Sequence, residues 1–148
     1  WPNAATYHDA IENQTNFTRI TRVTAVQPGD LIAIEYDPPP AGLDTSGHIA
    51  IVHSAPVLRT ASLPIVPSTT QYDVMVVDSS ASCHGSADTR YSRTDGGAGR
   101  GTLRLYADAS GNVAGYAWST FSNSVYYSLA SGRHVVIGRY TPAAAPSA

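Results

Sequence analysis

Two histidines bracket an apolar segment, SGHIAIVHS, at residues 46–54. Because strand side chains alternate between faces, His48 would share a face with Ala50 and Val52, whereas His53 would lie on the opposite face. The two imidazoles therefore cannot act together from one regular strand. His48 directly follows a glycine, where a loop-lined cleft would open, so His48 is the candidate for chemistry. We interpret His53 as a strand-end residue.

A carboxylate ends the next apolar segment, YDVMVVDS. Asp78 would share a strand face with Val74 and Val76, where an unpaired carboxylate is expensive to bury. If the two segments pair as antiparallel strands, the start of the first meets the end of the second. We therefore predict that Asp78 orients His48, which would make the pair a proton-transferring unit.

A nucleophile for this pair is harder to find. Cys83, the chain's one cysteine, and its neighbour His84 lie in the polar loop just after Asp78. No helix N-terminus in that loop would stabilise a thiolate, and the alternative is that Cys83 is simply a small loop residue. Three nearby serines lack the G-x-S-x-G turn of an activated hydroxyl: Ser79, Ser80 and Ser82.

A zinc site could be assembled in principle from the same segment, using His48, Asp78, Cys83 and His84. Neither C-x-x-C nor H-E-x-x-H spacing is present to support it. The sequence therefore predicts no metal and no cofactor.

Composition restricts the class of protein. The chain has 148 residues, 43% hydrophobic and 14% charged, which is enough for one compact domain over residues 1–141. Its nine basic residues, all arginine, are scattered among 11 acidic ones, so no basic patch predicts nucleic acid as a partner. No apolar run approaches the roughly 20 residues that span a bilayer.

The elements that must position these residues follow from periodicity and turn signals. Residues 3–13 show helical spacing behind a possible Asn3 cap. About six β segments follow in meander-like order, including a hairpin around ASGN. We predict an α+β fold with an antiparallel five- to six-stranded sheet or half-barrel and a short N-terminal helix. The Pro/Ala-rich residues 142–148 are predicted to be a flexible tail.

The order of three segments, QPGDLIAI, SGHIAIV and YDVMVVDS, resembles the NlpC-like superfamily of papain-like cell-wall cysteine peptidases and amidases. The resemblance covers roughly residues 27–80. Gly29 and Asp30 match the first strand of that pattern, His48 matches its base and Asp78 its orienting residue. The resemblance implies a papain-like fold, peptidoglycan or another amide as substrate, and a secreted, cell-surface or periplasmic location.

The resemblance lacks one essential part. In that superfamily the nucleophilic cysteine begins a helix before the G-D strand, but residues 1–28 contain no cysteine. Three explanations stay open: a fragment that starts after the nucleophile helix, a non-catalytic relative with a binding pocket, or a nucleophile replaced by Cys83. We predict an NlpC-like domain that is non-catalytic as the chain stands. The alternative is an active cysteine hydrolase that uses Cys83 or an upstream cysteine.

A structural role is the competing class. Nine tyrosines, few charges and a Pro/Ala tail are typical of an extracellular module that packs against partners or copies of itself. Asn13 and Asn16 begin N-x-T tripeptides, which accept glycans only in a cell with that machinery.

Overall fold

A computed structural model of the chain describes residues 2–42 and 45–142. Within these residues one α-helix, α1 (Ala4–Glu12), accompanies nine β-strands that join in one sheet, and every strand pair is antiparallel. The strands are β1 (Phe17–Arg19), β2 (Leu31–Glu35), β3 (Gly47–Val52), β4 (Val57–Leu58), β5 (Thr70–Ser80), β6 (Gly97–Ala107), β7 (Val113–Ala117), β8 (Tyr126–Ser128) and β9 (Val135–Tyr140). The predicted tail over 142–148 lies outside the described residues except for Pro142.

The predicted fold class is wrong. Instead of an α+β, papain-like domain with five or six strands, the described residues form a β-rich fold of nine strands with one helix of nine residues. The strand order β1-β9-β2-β3-β5-β6-β7-β8, with β4 on β5, is also not a meander, because the last strand inserts between the first two. The additional strands are short, two or three residues each, and such segments carry no readable alternation.

Helix α1 lies on one face of the sheet. The Asn3 side chain accepts a hydrogen bond from the backbone N–H of Thr6 at 3.0 Å, which satisfies one of the free donors at the helix N-terminus. Near its other end the helix buries Ile11 completely, in a small apolar cluster with Phe17, Ala33 and Val136. This cluster anchors the helix over β2 and β9.

The opposite face holds the larger core, to which the alternate residues of the central strands contribute. The chain after β1 closes over one side of it, because Val23 N–H bonds to Gly111 at 3.1 Å and Val113 N–H bonds to Thr21 at 2.8 Å. Both faces of β2 are thus covered, which explains its uninterrupted apolar sequence LIAI. The principal core side chains are Ile32, Ile34, Ala50, Val52, Val74, Val76, Leu103, Leu105, Val135 and Ile137.

Arg104 on β6 is fully buried on the face that the loop before β5 covers. Its guanidinium donates to the backbone carbonyls of Leu63, Ser119 and Phe121, which belong to two different loops. One side chain therefore satisfies carbonyls that the sheet ladder cannot reach.

Within the described residues, no helix is both long and apolar enough to cross a membrane, as the sequence predicts.

We expect Arg104→Met to lower the free energy of unfolding by about 2–4 kcal/mol, because several buried carbonyls lose their donor together. Arg100→Met is the matched control, since Arg100 lies on the same strand with an exposed side chain and should change stability by less than about 0.5 kcal/mol. Urea unfolding of both variants checks this. Equal losses of stability in the two would contradict the role of Arg104.

Candidate functional site

His48 and Asp78 meet on the inner face of the sheet, at the end of the large core. Strand β3 pairs antiparallel with β5 so that Ala50 lies opposite Asp78. His48 is two residues before Ala50 in β3, so it lies on the same face of the sheet. The His48 Nε2 atom lies 2.6 Å from Asp78 Oδ2, and the carboxylate is fully buried. The predicted pairing of these two side chains is therefore present, although their catalytic role stays a prediction.

Asp78 also holds a second imidazole and a guanidinium. His84 Nε2 lies 2.9 Å from the same Oδ2 atom, and Arg90 Nη2 forms an ion pair with Oδ1 at 2.8 Å. Both partners are buried, with side chains that are 0% and 2% exposed. The carboxylate thus sits among three nitrogen donors in a site without solvent.

His84 makes polar contacts through both ring nitrogens. Its Nδ1 atom lies 2.6 Å from the backbone carbonyl oxygen of Trp118, while its Nε2 atom faces the Asp78 carboxylate. The ring is therefore held between two oxygen atoms, and its contact with Oδ2 offsets part of the cost of burying Asp78.

A second carboxylate lies behind Asp78. Asp88 accepts from Arg90 Nε and Nη2, both at 2.9 Å, and from the backbone N–H groups of His84 and Arg90. Arg90 therefore pairs with two buried carboxylates, Asp78 and Asp88. Its guanidinium and the surrounding hydrogen bonds offset the cost of burying them.

The pKa of Asp78 reflects this surrounding. Burial alone would raise the pKa of Asp78, but the hydrogen bonds from His48 and His84 outweigh it and hold the pKa well below its usual range. The pKa of Asp88 is lowered as well, since hydrogen bonds from Arg90 and the His84 backbone outweigh its burial. Asp78 is therefore an anion across the physiological range.

Glycines on β6 make room for this charged cluster. A Cβ atom at Gly99 would overlap the Arg90 side chain, and one at Gly101 would overlap Asp88 and His84. The alternating glycines of GAGRG thus leave one face of β6 bare, and the loop between β5 and β6 lays its polar side chains onto that face. The sequence analysis interpreted this loop only as a long polar connection.

A pocket of about 490 Å³ opens beside His48. His48 lines it, and with Nε2 occupied by Asp78 the remaining nitrogen, Nδ1, has no hydrogen-bond partner among the described residues and is not buried. The Trp118 ring packs edge-on against His48, with ring centroids 4.7 Å apart. The imidazole is therefore fixed on two sides and open on the third.

Aromatic side chains and one cation form the rest of the pocket wall. Arg133 lies over the Tyr36 and Tyr127 rings, 4.7 and 5.3 Å from their centroids, and donates to the Tyr127 hydroxyl at 3.2 Å. Tyr116 is buried beneath Tyr127 in a stacked arrangement. The wall offers flat apolar surfaces with one guanidinium, a combination that suits a small organic ligand with an anionic group.

Cys83 is partly buried and is not among the residues that line the pocket. The three serines considered as nucleophiles do line it, but none of them hydrogen-bonds to His48. His53 is exposed and directly follows the last residue of β3. The structure therefore places a base and its orienting carboxylate together and leaves the candidate thiol outside.

Sequence reasoning missed most of this site. His84 entered only as a neighbour of Cys83 and as a possible zinc ligand, and Asp88, Arg90 and Trp118 did not enter at all. The signal that could have found the charged cluster is the alternation of glycines at residues 97, 99 and 101, because a bare strand face must be covered by something.

Comparisons with known proteins add little about chemistry. No protein-family model matches the chain, and no solved structure matches it. The chain is 36% identical over 145 residues to an uncharacterized protein of Acanthamoeba polyphaga mimivirus. The match covers 93% of this chain but 63% of the viral protein, so the chain spans less than two thirds of that relative's length.

The Asp78 network makes stability depend on pH. Because the folded pKa of Asp78 lies below its unfolded value, its stabilising contribution is complete above about pH 4 and is lost as the pH falls toward the folded pKa. In Asp78→Asn we expect the free energy of unfolding to depend less on pH. Between roughly pH 2 and 4, its slope against pH should be smaller than in wild type by the uptake of about one proton on unfolding.

Urea unfolding at a series of pH values measures this slope. Asp9→Asn is the control, since it removes a carboxylate that is 68% exposed and lies outside the Asp78 network. Parallel pH curves for wild type and Asp78→Asn would show that the carboxylate is not held as described.

Proposed function

We propose that the pocket is a hydrolytic site in which His48 acts as a general base on water, for a small acyl ester or amide that carries an anionic group. The observation that carries the proposal is the position of one ring: His48 lines the pocket, its Nε2 atom lies 2.6 Å from Asp78 Oδ2, and its Nδ1 atom has no hydrogen-bond partner among the described residues. A base held by a third group and open to a substrate is what proton abstraction requires.

The proposed reaction needs no thiol. The oxygen of a water molecule attacks the acyl carbonyl carbon, and His48 Nδ1 takes the proton that the water loses. The tetrahedral intermediate then expels its alcohol or amine, which recovers that proton from Nδ1. Asp78 is a positioning residue that stabilises the transient imidazolium of His48.

Asp78 is itself held by other partners. His84 and His48 share Asp78 Oδ2, and Arg90 forms an ion pair with the other oxygen. The carboxylate therefore keeps its position while His48 takes up a proton and returns it to the leaving group.

Arg133 and the aromatic wall support the choice of substrate. A guanidinium that stacks on two tyrosines is held in place and binds carboxylates or phosphates in a two-pronged geometry. The surrounding rings favour an apolar acyl group beside the anion.

The resemblance of residues 27–80 to NlpC-like enzymes supports an amide or ester as the reacting group. It rests on the motifs around His48 and Asp78, and the rest of the enzyme family's pattern, above all its nucleophile, has no counterpart in residues 1–28. Peptidoglycan as the substrate and an extracellular location stay predictions of that resemblance.

A packing role is the second candidate. Several large apolar side chains are exposed on the sheet and on the loop before β5, including Ile51, Val57, Leu58, Leu63 and Ile65, each at least 48% exposed. Exposed apolar surface of this kind is typical of proteins that bind partners or copies of themselves. This role and a hydrolytic pocket use different surfaces.

We expect His48→Gln to lower kcat/KM for p-nitrophenyl hemisuccinate at least 100-fold, because general-base catalysis typically contributes factors of about 10²–10⁴. The uncharged p-nitrophenyl acetate should be a poorer substrate, and Arg133→Met should remove the preference for the anionic ester. Release of p-nitrophenolate measures all of these rates.

Two control variants make the assay decisive. His53→Gln removes an exposed imidazole and should leave the rate unchanged. Cys83→Ser should also keep full activity, and a loss there would replace our mechanism with a cysteine nucleophile. Equal rates for wild type and His48→Gln would reject the hydrolytic site in favour of a binding pocket.

A further inference from the structure

A second polar cluster lies on the helix face of the sheet, opposite the pocket. It consists of His8 on α1, Glu35 at the end of β2 and His134 just before β9. The three belong to separate elements, which the apolar contacts of α1 with β2 and β9 hold together. One nitrogen or oxygen ligand atom from each residue lies within 4.8 Å of the others.

The distances within this cluster are unusual for three polar groups. His8 Nδ1 lies 3.4 Å from Glu35 Oε2, and His134 Nε2 lies 3.6 Å from the same oxygen. None of these pairs forms a hydrogen bond, although all three side chains point to one place. Ligands about 2.0–2.1 Å from a tetrahedral Zn²⁺ stand roughly 3.4 Å apart, so the two distances to Glu35 Oε2 already match a zinc site.

His8 supplies independent support for a ligand. Its side chain is only 3% exposed, and neither ring nitrogen has a hydrogen-bond partner in the described part of the chain. Two orphaned nitrogens in a buried imidazole are costly, because each loses its hydration without compensation. The His134 ring meets the His8 ring edge-on, with centroids 4.7 Å apart, so the His8 ring is wedged in position.

The cluster is closed on one side and open on the other. His8 forms its buried wall, whereas the side chains of Glu35 and His134 are 23% and 28% exposed. Three protein ligands with an open fourth position are the arrangement of zinc sites that bind water or a substrate. Two imidazoles and one carboxylate favour Zn²⁺ and similar first-row metals over Mg²⁺ or Ca²⁺, which prefer oxygen ligands.

We propose that His8, Glu35 and His134 form a binding site for one Zn²⁺ ion. The metal would satisfy the orphaned nitrogen of His8 that faces Glu35 and would tie α1 to both β2 and β9. The sequence analysis predicts no metal, because it considered only residues near His48. The sequence does not reveal the cluster of His8, Glu35 and His134, because these residues are separated by 27 and 99 positions and match no spacing motif.

Titration of metal-stripped protein with ZnCl₂ tests the proposal by calorimetry. We expect one saturable equivalent of Zn²⁺, no comparable binding of Mg²⁺ or Ca²⁺, and a rise in Tm when zinc is added. Glu35→Gln and His134→Gln should each weaken binding tenfold or more and lose the rise in Tm. Because both side chains are partly exposed, these variants test the site without removing the buried His8.

His53→Gln is the matched control, because it removes an exposed imidazole outside the cluster and should bind zinc as wild type does. Co²⁺ in place of zinc gives a second readout, since its visible absorption reports four-coordinate nitrogen and oxygen ligation. Absence of a saturable equivalent in wild type would overturn the proposal. Zinc binding that Glu35→Gln and His134→Gln both leave unchanged would overturn it equally, because the ion would then lie elsewhere.

Discussion

The buried carboxylate of Asp78 is the interaction on which the rest of the site depends. It meets His48, His84 and Arg90 within 2.9 Å, and none of the four side chains is more than 14% exposed. A lone carboxylate in this position would cost several kcal/mol of desolvation free energy, so the Arg90 guanidinium and the contacts with the two imidazoles are required for its burial. Removing one of these partners would leave part of that cost uncompensated.

The same requirement shapes the backbone around it. The loop between β5 and β6 must bring His84, Asp88 and Arg90 onto the sheet, and it can do so only because β6 carries glycines at that point. The loop is then fixed by backbone hydrogen bonds such as Thr89 N–H to Arg100 at 3.0 Å. This polar, glycine-rich loop thus places His84, Asp88 and Arg90 in fixed positions around Asp78, next to His48.

The sheet also separates two kinds of site. Successive residues of β2 and β3 point to opposite faces, so His48 faces the pocket and Glu35 faces the helix although their backbones lie in neighbouring strands. The apolar residues of the two strands lie between the two clusters. Each polar cluster can therefore keep its own charge balance.

The sequence predicts correctly those features that depend on residues close together in the chain or on strand alternation. The Asn3 cap, the hairpin around ASGN, and the faces of His48 and Asp78 depend on neighbouring residues or on strand alternation. The fold class failed because β9 inserts between β1 and β2, a pairing that joins residues more than 100 positions apart. The charged cluster around Asp78 and the pocket wall likewise combine segments that are distant in the chain. Residue spacing in the sequence does not predict contacts of this kind.

The central claim is that Asp78 holds His48 by Nε2 and leaves Nδ1 as the free base. Long-range ¹⁵N–¹H NMR of the imidazoles, recorded near neutral pH, tests it directly because the two nitrogen shifts of each ring report where the protons are. We predict that the His48 proton lies on Nε2, where the ring meets Asp78, and that Nδ1 carries none. A His48 ring with its proton on Nδ1 and a bare Nε2 would contradict the account.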